Sequence, residues 1–261
     1  MMRILKIPFA GGGLGRGNGS EEAPDKIVSL LDELFLNEDG KDVKIDVDKV
    51  DVVKNNLEET NDRITKKVSA LPERSIILGG DHSITYACVR GYVQNFHDSG
   101  IIIFDAHPDC ENDFAPPSQE DVVCALVNEG LIDASRIIII GLRNWDGNEI
   151  EFLNKKRIKY FSMKQIFEYS IKDIMDTVTE TAKQWKNLYL SIDIDAVDPA
   201  FAPGTGYREP AGLSSRELIY CLQRIKRLPN LRMIDIVEIN PPKDVVDMTS
   251  KLGAKIIKEL M

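Results

Sequence analysis

Histidine is scarce in this chain, with three in 261 residues. A site resting on several imidazoles has little material here, so any metal chemistry must draw on carboxylates. Cysteine is scarce as well. Cys88, Cys110, Cys124 and Cys221 have no CxxC spacing, which argues against a thiolate metal site and reads as reduced thiols. Basic clusters are missing: 33 Lys and Arg stand against 42 Asp and Glu, a net charge of −9, which argues against a nucleic-acid partner. The surplus of carboxylates fits a cationic substrate and equally fits simple solubility. No apolar run approaches a membrane span, and MMRILKIPFA is too short in apolar residues for a signal peptide, so a cytoplasmic protein is expected. Without a fixed-period repeat, low-complexity segment or linker, residues 1–261 are expected to form one domain.

What is present is an alternation of apolar strands and amphipathic helices. Strands are expected at Arg3–Pro8, Lys44–Val53, Ser75–Leu78, Ile101–Phe104, Arg136–Gly141, Ile158–Phe161, Asn187–Asp195 and Leu231–Ile239. The Lys44–Val53 stretch alternates apolar and polar residues, as an edge strand does. Helices are expected at Glu21–Leu36, from Asn55 to about Leu71, after His82, from Gln119 to Glu129, from Ser162 in pieces to Trp185, from Ser214 to Arg227, and from Asp244 to Leu260. The last should bury Val245, Met248, Leu252, Ile256 and Leu260. Asn55-x-x-Glu58, Ser118-x-x-Asp121, Ser162-x-x-Gln165 and Ser214-x-x-Glu217 read as helix caps. The alternation predicts an α/β fold, a mainly parallel sheet of about eight strands with helices on both faces.

Three of these strands run into polar residues at their C-terminal ends, where open α/β sheets hold their ligands. Ile101–Cys110, IIIFDAHPDC, delivers Asp105, His107 and Asp109 at i, i+2, i+4, on one side of an extended chain. Asn187–Asp195, NLYLSIDID, delivers Asp193 and Asp195. The turn Gly79-Gly80-Asp81-His82-Ser83 puts His82 beside a helix N-terminus. Six ligands exceed what one hydrolytic zinc takes and suit two divalent metals. Oxygen and nitrogen donors without thiolate favour manganese, with iron, cobalt or nickel as alternatives. Four carboxylates at the ends of apolar strands would repel one another without cations. Gly11–Gly19, GGGLGRGNG, offers backbone N–H groups to an anion but lacks the GK[ST] ending of a phosphate loop; otherwise it is a surface loop near the site.

The blocks GGDHS, DAHPD, SIDIDAVDPAFAPGTG and DIVEINPP resemble the signature blocks of the ureohydrolase family, arginase, agmatinase and relatives. The resemblance runs over nearly the whole chain. It implies a parallel α/β fold, two manganese ions and usually a homo-oligomer. It implies that His82, Asp105 and Asp109 hold one ion and that His107, Asp193 and Asp195 complete the second, with Asp105 and Asp193 bridging. It implies that Glu238 pairs with a substrate guanidinium, chemistry a carboxylate performs well. The implied reaction is attack of a metal-bridging hydroxide on the guanidinium carbon, giving urea and an amine, with Asp109 steering the hydroxide or briefly holding a proton.

Two departures bear on the substrate. Family members carry a His-Gly pair after the DAHxD block, and its histidine shuttles protons; here Gln119 falls at that position, and glutamine is no general acid at neutral pH. His97, in NFHDSG, reads as a solvated loop residue. Either Glu111, Asp113, Glu120 or water carries the proton instead, or the activity is weak, or the substrate differs. Arg208, in GTGYREP, stands where relatives have proline and can receive a substrate carboxylate, while Glu111 and Asp113 can receive an amine. The expected activity is metal-dependent hydrolysis of a linear guanidino or amidino compound, agmatine-like, with Gln119, Arg208 and Glu238 at the substrate. The alternatives are a family-fold protein whose activity is weakened or redirected to binding or regulation, and a one-zinc deacetylase of the same broad fold, which three histidines disfavour.

Overall fold

The structure is a computed structural model and describes residues 2–42 and 44–261. Among the described residues, eight strands form one sheet: β1 (Met2–Lys6), β2 (Ile45–Lys49), β3 (Ser75–Leu78), β4 (Ser99–Phe104), β5 (Ile137–Leu142), β6 (Lys159–Ser162), β7 (Asn187–Asp193) and β8 (Leu231–Val237). Every pairing is parallel, in the order β2-β1-β3-β8-β7-β4-β5-β6. The alternating stretch is indeed an edge strand, β2, and it carries the shallowest burial.

Side-chain alternation divides the core into two layers. Along β4, Ile102 and Phe104 face one way, toward α1 (Ala23–Leu30), α6 (Met163–Tyr169), α7 (Ile171–Ala182), α8 (Ser215–Ile225) and α9 (Met248–Leu260). Ile101 and Ile103 face the other way, toward α2 (Leu57–Val68), α3 (Ile84–Tyr92), α4 (Val122–Asn128) and α5 (Gly147–Lys156). Both faces are covered, so the central strands carry continuous apolar runs.

Caps fix several helix starts. Ser162 with Gln165 and Ser214 with Glu217 form the reciprocal boxes expected of them. The α2 cap is one residue later than expected: Asn56, not Asn55, accepts from the Glu59 N–H. Ser118-x-x-Asp121 is no cap. Asp121 instead accepts from the Ser118 and Asn112 N–H groups, which folds the loop on itself, and α4 starts only at Val122. The helix α5 was not expected, although Asp146-x-x-Glu149 is a full capping box. Val245, before α9, and Met248, its first residue, are exposed rather than buried, because the helix begins only at Met248; Leu252, Ile256 and Leu260 are buried as expected. No helix of the described residues is long and apolar enough to cross a membrane, and the four cysteines are free and buried.

Candidate metal centre

The C-terminal ends of β3, β8, β7 and β4 lie side by side in the middle of the sheet. They bring His82, Glu238, the Asp193–Asp195 pair and the Asp105–Asp109 segment to the floor of one cleft of about 390 Å³. β7 and β4 pair directly, whereas β8, the strand that carries Glu238, separates β3 from them. Gly80 allows the close turn after β3: a side-chain carbon there would overlap the Phe9 carbonyl, 1.9 Å away.

Four of the floor carboxylates share one local design. Each gives one oxygen to a backbone N–H: Asp105 Oδ1 accepts from His107 at 2.7 Å, Asp193 Oδ1 from Asp195 at 2.8 Å, Asp195 Oδ1 from Ala106 at 2.9 Å, and Glu238 Oε1 from His82 at 2.7 Å. The second oxygen accepts from no backbone N–H of the described residues, and Asp193, Asp195 and Glu238 line the cleft. His82 Nδ1, Asp105 Oδ2 and Asp109 Oδ2 are buried and make no aligned hydrogen bond. His82 Nδ1 nevertheless stands 3.2 Å from Asp105 Oδ2, 2.8 Å from Asp109 Oδ2 and 3.3 Å from Asp193 Oδ2. Donor atoms bound at about 2.0–2.2 Å to one ion stand about 3 Å apart, so these separations fit convergence on a common cation better than pairing with one another. His107 Nδ1 lies 3.0 Å from Asp195 Oδ2 and 3.6 Å from Asp105 Oδ1. Two ligand groups result, His82–Asp105–Asp109 and Asp105–His107–Asp195, and Asp105 belongs to both. These residues fit a pair of divalent ions.

The electrostatics agree. Burial, and then the Asp105 charge, push the Asp109 carboxyl well above the usual range. Burial also raises Asp193, with Asp195 and Asp105 adding repulsion. Glu238 is raised by burial and by Asp81. For His82, burial pulls the imidazole down, and Asp105 and Asp109 more than reverse it. Without cations this floor must bind protons to offset its own charge. Asp109 and Glu238 also hold left-handed backbone, at φ 51° and 62°, a conformation that costs a non-glycine residue about 1–2 kcal/mol. Such strain gathers where the surrounding structure over-determines a functional side chain.

Below the floor lies a polar chain inside the sheet. His82 Nε2 is 3.1 Å from Ser191 Oγ, which donates to Asp235 at 2.6 Å; Tyr189 and Thr85 donate to the same carboxylate. This fixes the ring so that Nδ1 faces the cleft. Above the floor, Asp81 accepts from the Gly12 N–H at 2.8 Å and so ties the glycine-rich loop to the His82 turn. That loop packs against the site and is not a free surface loop.

The lip departs from sequence expectation. Gln119 lines the cleft as expected, 4% exposed, with neither amide atom partnered. Glu111 and Glu120 line it too. Asp113 does not; it faces Asn128 and Cys124. Arg208 is a correction: its Nε donates to the Pro203 carbonyl at 2.7 Å and its Nη2 to the Lys243 carbonyl at 2.8 Å, so the guanidinium is spent on backbone outside the cleft. Arg16 and Tyr207 occupy the lip instead, and the sequence reading missed them. It also missed Asn144, Trp145, Asp146 and Glu149, which arrive with α5; Glu149 accepts from the Cys110 N–H at 3.3 Å and buttresses the DAHPD turn. The Asp146-x-x-Glu149 box was their only local signal. His97 is exposed, as expected.

Comparison with known proteins agrees with this geometry. The arginase family model matches residues 1–261. An arginase of Staphylococcus aureus (strain MRSA252) is 29% identical over 259 residues, covering 88% of this chain and 86% of that protein. An agmatinase of Neisseria gonorrhoeae (strain NCCP11945) is 33% identical over 195 residues, covering 75% of this chain and 61% of that protein. Among solved structures, formimidoylglutamase from Bacillus subtilis superposes with a TM-score of 0.92 at 23% identity, covering 100% of this chain and 86% of that one. The parallel sheet, its strand-end ligands and a family match over the whole chain lead to one conclusion: the chain belongs to the arginase family.

Proposed function

We propose that this chain is a dinuclear, manganese-dependent amidinohydrolase that cleaves a C–N bond of a linear guanidino or amidino compound, releasing urea and an amine from a guanidino substrate. The observation that carries this reading is the pair of ligand groups sharing Asp105 beneath one acidic cleft. In this reading residues 1–261 act as one catalytic domain, since all the ligands come from one sheet.

His82, Asp105 and Asp109 hold one ion, and His107, Asp193 and Asp195 complete the second. When bound, two such ions make water available as a nucleophile near neutral pH and stabilise developing charge. Glu238, with Oε1 fixed by the His82 N–H, turns its other oxygen to the guanidinium and orients the central carbon over the floor. Asp109 takes the proton that the attacking water gives up. The leaving amine needs a proton that Gln119 cannot supply. Glu111 supports that role: burial and the neighbouring Glu120 raise its carboxyl, and both line the cleft. The Glu120 carboxylate can meet an amine on the substrate tail, as in agmatine.

The test is urea release with added manganese from arginine, agmatine and 4-guanidinobutyrate, and formamide release from formimidoylglutamate. Turnover of at least one is expected. Metal-loaded protein that is silent on all four would overturn the hydrolase reading and favour a binding or regulatory protein.

A further inference from the structure

Arg16 stands out at the lip. Among the described residues lining the cleft, eight are Asp or Glu, and Arg16 is the one permanent cation. Its guanidinium carbon lies 4.7 Å from the centre of the Tyr207 ring, and among the described residues its side chain makes no ion pair or hydrogen bond. An arginine amid carboxylates that pairs with none of them keeps its five donors free. Tyr207 in turn packs edge-on to the ring of His107, at 5.1 Å, so Arg16 is two contacts from the metal floor.

The loop that carries Arg16 is held. The Arg16 carbonyl accepts from Lys243 Nζ at 2.8 Å, Asn240 Nδ2 donates to the Asn18 carbonyl at 3.0 Å, and Gln119 N–H donates to the Gly12 carbonyl at 3.0 Å. Gln119 is the independent second observation. Its amide is buried, unpartnered and set against this loop: a side chain added at Gly13 would come within 3.2 Å of its Oε1. An exposed guanidinium with no hydrogen-bonding partner among the described residues and a buried, unpartnered amide, bordering one cleft, form a donor set for an anion.

We propose that Arg16, with Gln119 beside it, reads the far end of the substrate and selects guanidino compounds that end in a carboxylate over those that end in an amine. The inference rests on the hydrolase reading of this cleft and adds its substrate class. The substrate guanidinium goes to Glu238 and the floor, and the tail carboxylate to Arg16. An amine tail meets the Arg16 charge as a repulsion. Glu120 remains to receive an α-amine where the substrate also has one.

The experiment compares 4-guanidinobutyrate with agmatine on the manganese-loaded protein, by kcat/KM and by calorimetric binding. The expected preference is for guanidinobutyrate. A charge-assisted contact of this kind predicts that Arg16→Ala lowers the guanidinobutyrate-to-agmatine ratio roughly 10- to 100-fold, mainly through KM. Arg16→Glu should invert the preference. A wild-type preference for agmatine, or a ratio unchanged in both variants, overturns the proposal. Calorimetry separates the two readings. Arg16-dependent binding of guanidinobutyrate without turnover of any substrate sinks the hydrolase reading and leaves the selector standing, while urea release indifferent to Arg16 does the reverse. Binding of neither compound overturns the selector.

Discussion

At the floor of the cleft Asp105, Asp193, Asp195 and Glu238 each have one oxygen fixed by a backbone N–H, whereas at the lip the Gln119 amide has no partner and Arg16 has only the face of Tyr207. The floor sits on the ends of four buried parallel strands, and its ligands are aimed by turns of two or three residues. The lip is assembled from loops around residues 16, 120, 145 and 207, held by scattered side-chain hydrogen bonds and ring contacts rather than by the sheet. A rigid floor suits chemistry that needs fixed charge geometry. A loop-built lip can change its reading of the substrate tail without disturbing that geometry.

The contrast can be broken at its strongest point first. Asp193→Asn removes a cleft-facing carboxylate oxygen from the floor, and the loss of activity should exceed the ~100-fold typical of outer partners, with metal content falling alongside it. Retained activity and metal would show that the floor is not the centre. Ser191→Ala cuts the link from His82 to Asp235 and should weaken metal affinity roughly 10- to 100-fold while the protein stays folded. A metal titration followed by circular dichroism measures both.

At the lip the expected effects are smaller and selective. Arg208→Ala forfeits two exposed donations to carbonyls, so it should cost about 1 kcal/mol, or about 2–4 °C in Tm for a chain of this size. It should leave the guanidinobutyrate-to-agmatine ratio alone; a shift like that expected of Arg16→Ala would put Arg208 back at the substrate. Smallest is a pH effect far from the cleft. Hydrogen bonds from Arg216 and then Gln223 lower the Glu38 carboxyl to about 2. Its stabilisation is therefore complete above the ordinary glutamate value and lost as pH falls toward 2. Glu38→Gln should flatten that acid limb of the stability profile, and an unchanged limb would contradict the assignment.

Why the floor was legible in the sequence and the lip was not follows from the same contrast. DAHPD and SIDID are local: the strand fixes direction, the spacing fixes the side, and the burial of both neighbours leaves the carboxylates one place to point. The edge position of β2 and the α6 and α8 caps were legible for similar local reasons. Arg16 and Arg208 both lie in glycine-rich loops without periodicity, and which one faces the cleft depends on carbonyls of Pro203 and Lys243 that only the folded chain brings near. Ser118-x-x-Asp121 misled because Asp121 bonds back into its loop rather than forward to a helix, which leaves Gln119 outside α4 and facing the cleft.

Metal content per chain tests the central claim most directly. After manganese loading and removal of excess ion, elemental analysis should give two manganese ions per chain. One tightly held zinc per chain, or no retained metal, would contradict a floor built for two ions sharing Asp105.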